Sequence, residues 1–226
     1  MKKSLSSILA ILLVFVFAFL AIASGESEEP QTTAPIIDYS VSIQDEPPTV
    51  GIVTEPPTTH PYEYLRGEYG QVVGNKYIDG KANVMFDITS EFPNGDQSVY
   101  DQFLSASQVS GSMVTFASYN STTARTLIVG YETGSTFSGM SASEFISNQK
   151  EALANQLAYT NPLTFNGTTS MTVAGETYAC MQGQYQTGQH YYMCARVVDG
   201  VIFNFAVIAE NETVINNFFN SITTVY

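Results

Sequence analysis

The chain has 226 residues, of which 44% are hydrophobic, 12% aromatic and only 13% charged, and its formal net charge is −13. These values exclude a coiled coil, which needs many more charges, and general disorder, which needs far fewer apolar side chains. The negative balance repels phosphate backbones, so nucleic acid is excluded as a partner.

Lys2 and Lys3 precede a run from Ile8 to Leu20 that has no charged or polar side chain, and Ala21-Ile22-Ala23 follows. This is the order of a secretory signal peptide, residues 1–23, with cleavage after Ala23. The alternative is an uncleaved N-terminal anchor, because residues 4–25 form an uncharged stretch long enough to span a bilayer. Membrane contact is expected only in that second case. Either way the positive end stays inside and the rest of the chain lies outside the cytoplasm, secreted or at the cell surface. Loss of the leader would leave six basic residues against 21 acids.

Residues 24–61 hold seven of the nine prolines and seven acids, with no Lys or Arg. Proline removes backbone donors and like charges repel, so an extended, disordered Pro/Thr-rich tether is expected. Glu46-Pro47-Pro48-Thr49 and Glu55-Pro56-Pro57-Thr58 form a loose repeat of it. Within it, Ile36–Ile43 is apolar enough to add to a sheet, and that possibility stays open.

Residues 62–226 are expected to form one globular domain. Gln71–Tyr77 reads as a strand, and a second follows the turn Ile78-Asp79-Gly80-Lys81, where Val84, Phe86 and Ile88 alternate with polar or small neighbours. A short helix begins at Ser98, with Val99, Phe103 and Ala106 on one face. Met113–Tyr119 and Thr126–Glu132 are strands joined by a polar stretch. Ser141, with Glu144 three residues later, starts the clearest helix, whose stripe holds Phe145, Ile146, Gln149, Leu153 and Leu157. Three strands come next: Ser170–Met181 through Gly175, Gln189–Val198, and Val201–Ala209. Asp199-Gly200 is a tight-hairpin signal between the last two. Asn211–Thr223 closes the chain as a helix, with Val214, Ile215, Phe218, Phe219 and Ile222 at helical spacing. The order ββ-α-ββ-α-βββ-α implies an α+β fold, an antiparallel sheet covered by amphipathic helices.

Several segments of this order resemble one family. They are Gly74-Asn75-Lys76-Tyr77, the long mid-chain helix, Val173-Ala174-Gly175-Glu176-Thr177-Tyr178, Arg196-Val197-Val198-Asp199-Gly200 and the closing Phe218-Phe219-Asn220-Ser221-Ile222. Together they look like exported bacterial PsbP-like domains, relatives in fold of a photosystem II extrinsic subunit. The resemblance covers about residues 74–226 and is distributed, with no sharp motif. The chain has no Trp, and Glu91-Phe92-Pro93-Asn94 stands where relatives carry a Trp-bearing turn. What it implies is an α/β/α sandwich, and no reaction.

Cys180 and Cys194 are the only thiols, and they face each other if their hairpin is centred on Thr187. A cross-strand disulfide is then sterically reasonable; two free buried thiols, or a redox or metal role, are the alternatives.

No nucleophile elbow, zinc-binding helix motif, P-loop or dinucleotide fingerprint occurs, and no cofactor is implied. His60 falls in the tether, and His190 reads as an exposed turn residue. Tyr178, Tyr185, Tyr191 and Tyr192 gather on one hairpin among Gln182, Gln184, Gln186 and Gln189. With Arg196 they form the candidate binding surface, since Tyr and amide side chains suit a flat polar contact with a protein or glycan. The competing reading is ordinary cross-strand pairing on a half-solvated sheet. The functional expectation is a non-enzymatic surface-binding or accessory module. The alternatives are an adaptor subunit of an envelope complex and a hydrolase working through paired carboxylates.

Overall fold

The computed structural model describes residues 60–96, 98–100, 111–157 and 162–226. The leader and all but the last two residues of the tether lie outside these, as does most of the short helix expected from Ser98, of which residues 98–100 are helical.

Three short strands, β1 (Gln71–Val73), β2 (Lys76–Asp79) and β3 (Val84–Asp87), form a small antiparallel sheet. Six longer ones form the main sheet: β4 (Ser112–Asn120), β5 (Arg125–Glu132), β6 (Leu163–Val173), β7 (Glu176–Tyr185), β8 (His190–Val198) and β9 (Val201–Ala209). Their order across the sheet is β4-β5-β9-β8-β7-β6, and every neighbouring pair is antiparallel. The two longer helices among the described residues are α1 (Ala142–Leu157) and α2 (Glu212–Ser221).

The cap expected at Ser141 is made, and the structure adds one at Asn211. The Ser141 hydroxyl accepts from the Glu144 amide at 3.1 Å, and the Asn211 side chain accepts from Val214 N at 3.0 Å. Each satisfies an amide that the first helical turn would leave unpaired.

The main sheet is covered on both faces. Against one lie α2 and the small sheet, where Phe86, Phe116, Phe203, Phe205, Phe218 and Phe219 interlock with Tyr77, Tyr131 and Tyr178. Against the other lies α1, which contributes Phe145, Ile146 and Leu153 to a core with Ile128, Met181, Met193 and Ile208. A third, smaller cluster of Leu65, Ile78 and Val225 seals the outer face of the small sheet. The α+β class and antiparallel sheet are therefore those the periodicity implies.

The strand count differs in two places, and both differences are glycine turns. The segment read as one strand, Gln71–Tyr77, folds back at Gly74, whose φ is 62°. The segment read as one strand through Gly175 instead reverses at Ala174 and Gly175, with φ of 49° and 79°. Two successive left-handed residues make the tightest hairpin, so Val173 pairs with Glu176 and the chain doubles back. The Asp199-Gly200 turn has the same geometry, φ 48° and 80°, and joins Val198 to Val201 as expected.

Cys180 pairs directly with Cys194 across β7 and β8, with a Cα–Cα distance of 4.1 Å and the two sulfurs at bonding distance. Both side chains are fully buried.

Two outcomes are expected. Phe205→Ala empties a site ringed by Tyr178, Phe203, Phe218 and Phe219, and should cost about 3–5 kcal/mol in urea unfolding. Replacing both cysteines by Ala should cost on the order of 3 kcal/mol, because the loop they close is short. Intact-mass analysis should show no alkylation until the protein is unfolded and reduced. Rapid labelling in unfolded, unreduced protein would show that the bond is absent.

Candidate functional site

The structure corrects the expected tyrosine surface. Tyr178, Tyr191 and Tyr192 are 0%, 5% and 3% exposed. The cause is the double cover: strand alternation sends Tyr178 and Tyr192 toward α2 and the small sheet, and Tyr191 toward α1. A half-solvated sheet, the competing expectation, is not formed either. Burial pushes the hydroxyl pKa of Tyr191 well up, and for Tyr192 burial is joined by the charge of Glu212, to which it hydrogen-bonds. Tyr185 is only half-buried and stands 6.2 Å from Tyr191, ring to ring.

Arg196 shares the face of Tyr192 and Cys194, as alternation requires. Its guanidinium sits 5.4 Å from the Tyr178 ring centre, 3.5 Å from Glu176, and donates to the Ala82 carbonyl. It therefore fastens the β2–β3 turn to the main sheet. Arg125 is also paired, with Glu210 and with Glu91 at 3.3 Å. His190 is not an exposed turn residue: it begins β8 with its side chain 19% exposed and Nδ1 3.4 Å from Glu212.

What the hairpin does expose is its amide side chains. At the open end of β6, β7 and β8, a groove of about 560 Å³ is lined by Pro162, Thr164, Asn166, Gln184, Tyr185, Gln186 and Gly188. Gln184 Nε2 donates to the Gly188 carbonyl at 3.1 Å and lies 3.3 Å from His190 Nε2. Gln186 and Asn166 project into solvent. Among the described residues no charged side chain lines the groove. A second groove, of about 460 Å³, runs between α1 and the β6–β7 pair, and the hydroxyls of Ser143, Ser147, Thr168, Ser170 and Thr177 line it. Such neutral donors and acceptors suit an uncharged polar ligand.

Two buried carboxyls escaped the sequence reading. Asp79, fully buried, accepts from Ala82 N at 2.7 Å, Tyr131 Oη at 2.8 Å and Tyr77 Oη at 3.0 Å. Burial raises its pKa, and these donors, with the Gly70 amide, oppose the rise. Glu132 lies on the opposite face of β5 from Tyr131 and is 6% exposed. Burial lifts its pKa from the ordinary 4.5 to about 7, against hydrogen bonds from Ser112 and Asn204. A signal was available for Glu132, since alternation puts it in the row of Ile128. Asp79 instead reads as an ordinary turn acid beside Gly80. Because they serve opposite faces of the main sheet, these two carboxyls do not flank a common cleft. Among the described residues no cluster of three His, Cys, Asp or Glu side chains could hold a metal ion.

No family model and no curated protein matches the sequence. Solved structures similar to it include the following two. One is the solution structure of cyanobacterial PsbP (CyanoP) from Synechocystis sp. PCC 6803, with a TM-score of 0.46 and 9% identity over 66% of this chain and 91% of that one. The other is LpqN of Mycobacterium tuberculosis, described as involved in cell envelope biogenesis, with a TM-score of 0.37 and 12% identity over 74% of this chain and 98% of that one. With TM-scores and identities this low, neither likeness assigns a role to this chain.

Glu132 gives a pH prediction. Below pH 4.5 the folded and unfolded chains both hold its proton. Between 4.5 and 7 only the unfolded chain releases it, so stability falls as pH rises, and above 7 the whole cost is in place. That cost is on the order of 3 kcal/mol. Glu132→Gln should therefore gain roughly that much on wild type between pH 4.5 and 8, read from denaturant midpoints at both pH values. An equal pH dependence in both proteins would show that Glu132 ionises freely.

Proposed function

We propose that the chain is an exported, non-enzymatic accessory module that binds a partner at the cell surface through the neutral groove at the open end of β6, β7 and β8. One observation carries this reading: the accessible recess at the expected hairpin is lined by amides and hydroxyls, and the two buried carboxyls are enclosed on opposite faces of the sheet. General acid–base hydrolysis of a polymer needs two carboxyls converging on one bond. A binding groove needs only a fixed array of donors and acceptors, which Asn166, Gln184 and Gln186 supply.

Its export rests on the N-terminal leader, and a paired Cys180 and Cys194 suits an oxidising compartment. The ligand is a glycan or protein surface presenting hydroxyls or backbone amides, since the groove offers no charge to recognise an ion. The excess of acids over the rest of the surface keeps the module soluble and off anionic polymers.

Sedimentation of the purified protein with isolated cell wall, and with solubilised envelope, tests this. Wild type should be retained, and Gln184→Ala combined with Gln186→Ala should weaken retention by about tenfold or more, as loss of two hydrogen bonds implies. Unchanged retention would exclude the groove. Release of reducing ends from the same wall would replace binding by hydrolysis.

A further inference from the structure

The two edges of the main sheet are treated differently. Outside β4, the Gly95 amide donates to the Ala117 carbonyl at 2.9 Å, and Asn120 reaches the Ser90 carbonyl. Outside β6, no strand follows among the described residues. In the small sheet, β1 has only three residues, and β3 is bridged at Met85 by Thr223.

The backbone geometry of β6 defines what its edge offers. The two-residue turn at Ala174 and Gly175 makes Val173 and Glu176 a hydrogen-bonded pair. Alternation then turns the backbone groups of Val173, Met171 and Thr169 toward β7, and those of Thr172, Ser170 and Thr168 away from it. From Thr168 to Val173 there is no charge and no proline, and the one bulge lies upstream, between Phe165 and Gly167. The devices that keep an edge from pairing are thus missing from this stretch. Its side chains are sorted by face: Met171 and Val173 join the core under the small sheet, while Thr168 and Ser170 line the hydroxyl groove.

The chain carries a matching segment outside the described residues. Ile37, Tyr39, Val41 and Ile43 alternate strictly with Asp38, Ser40 and Ser42, inside a tether otherwise rich in proline and acid. That is the pattern of a strand with one apolar and one polar side. Sixteen residues separate Ile43 from His60, and a proline-rich chain of that length spans roughly 50 Å. This exceeds the ~30 Å gyration diameter of a 165-residue domain. The reach required is also short. Val173 and Glu176 lie where Arg196 ties β8 to Ala82, and Gly80, two residues earlier, approaches Tyr226, whose ring meets that of His60.

We propose that residues 37–43 pair with Thr168–Val173 as a further strand of the main sheet, folding the tether back on its own domain. Tyr39 and Val41 would then extend the apolar row of Met171 and Val173, and Ser40 and Ser42 the hydroxyl row of Thr168 and Ser170. Strand addition of this kind takes its affinity from main-chain bonds and its register from the alternating side chains.

Residue-resolved hydrogen exchange on the exported chain tests it, with Ser40→Pro combined with Val41→Pro as the variant, since one of two adjacent amides faces β6 whichever way the segment runs and neither touches the domain. The amides of Thr168, Ser170 and Thr172 should exchange at least about tenfold faster in the variant, while those of Thr169, Met171 and Val173, bonded to β7, stay unchanged. This pattern should be independent of protein concentration. Equal exchange of the three outward amides in both proteins would overturn the proposal. Protection that disappears on dilution would overturn it too, since the edge would then be filled by a second copy.

Discussion

The fold follows from one constraint: the middle of the main sheet is apolar on both sides. β9 runs Val-Ile-Phe-Asn-Phe-Ala-Val-Ile-Ala, and all of it after Val201 is buried. A sheet with two apolar faces cannot leave either to water, so two covering layers are required. α1 supplies one. The other is shared by α2 and the small sheet, because α2 has only ten residues and leaves part of the face bare. Tyr178, Tyr191 and Tyr192 are buried for the same reason, and exposed amide side chains stand at the strand ends.

The joint between the two sheets is polar. Asp79 gathers hydroxyls from its own sheet, through Tyr77, and from the main one, through Tyr131. Tyr77 also meets the Thr115 hydroxyl at 2.7 Å. A buried carboxyl costs stability unless it is fully hydrogen-bonded, and here its bonds fix the position of one layer on the other. The approach is close enough that a Cβ on Gly70 would fall 1.9 Å from the Tyr77 hydroxyl. Arg196 adds a second tie through the Ala82 carbonyl. Apolar packing makes the layers adhere, and these directional bonds determine where.

Elements whose signal is local were legible in the sequence. The stripes of α1 and α2 depend on spacing within one helix, and the Ser141 cap on residues three apart. The opposition of Cys180 to Cys194 follows from a single hairpin, so it too could be read by counting. What was lost depends on non-local contacts. Whether Gly175 interrupts a strand or reverses it depends on whether Glu176–Tyr185 finds β8 beside it. Whether a tyrosine is a contact or a core residue depends on how many layers cover the sheet. Asp79 looked like a turn acid because the hydroxyl of Tyr131, 52 residues away, is what makes it internal.

The antiparallel path of β7 and β8 also sets how the domain faces its surroundings. At one end of β8, Asp199 holds Lys81, next to the Gly80–Tyr226–His60 contact through which the N-terminal segment enters. The amide-lined groove opens at the other end, eight residues and so about 26 Å away. The main sheet therefore separates the groove from the point where the chain enters the domain, and the length of its strands sets that distance.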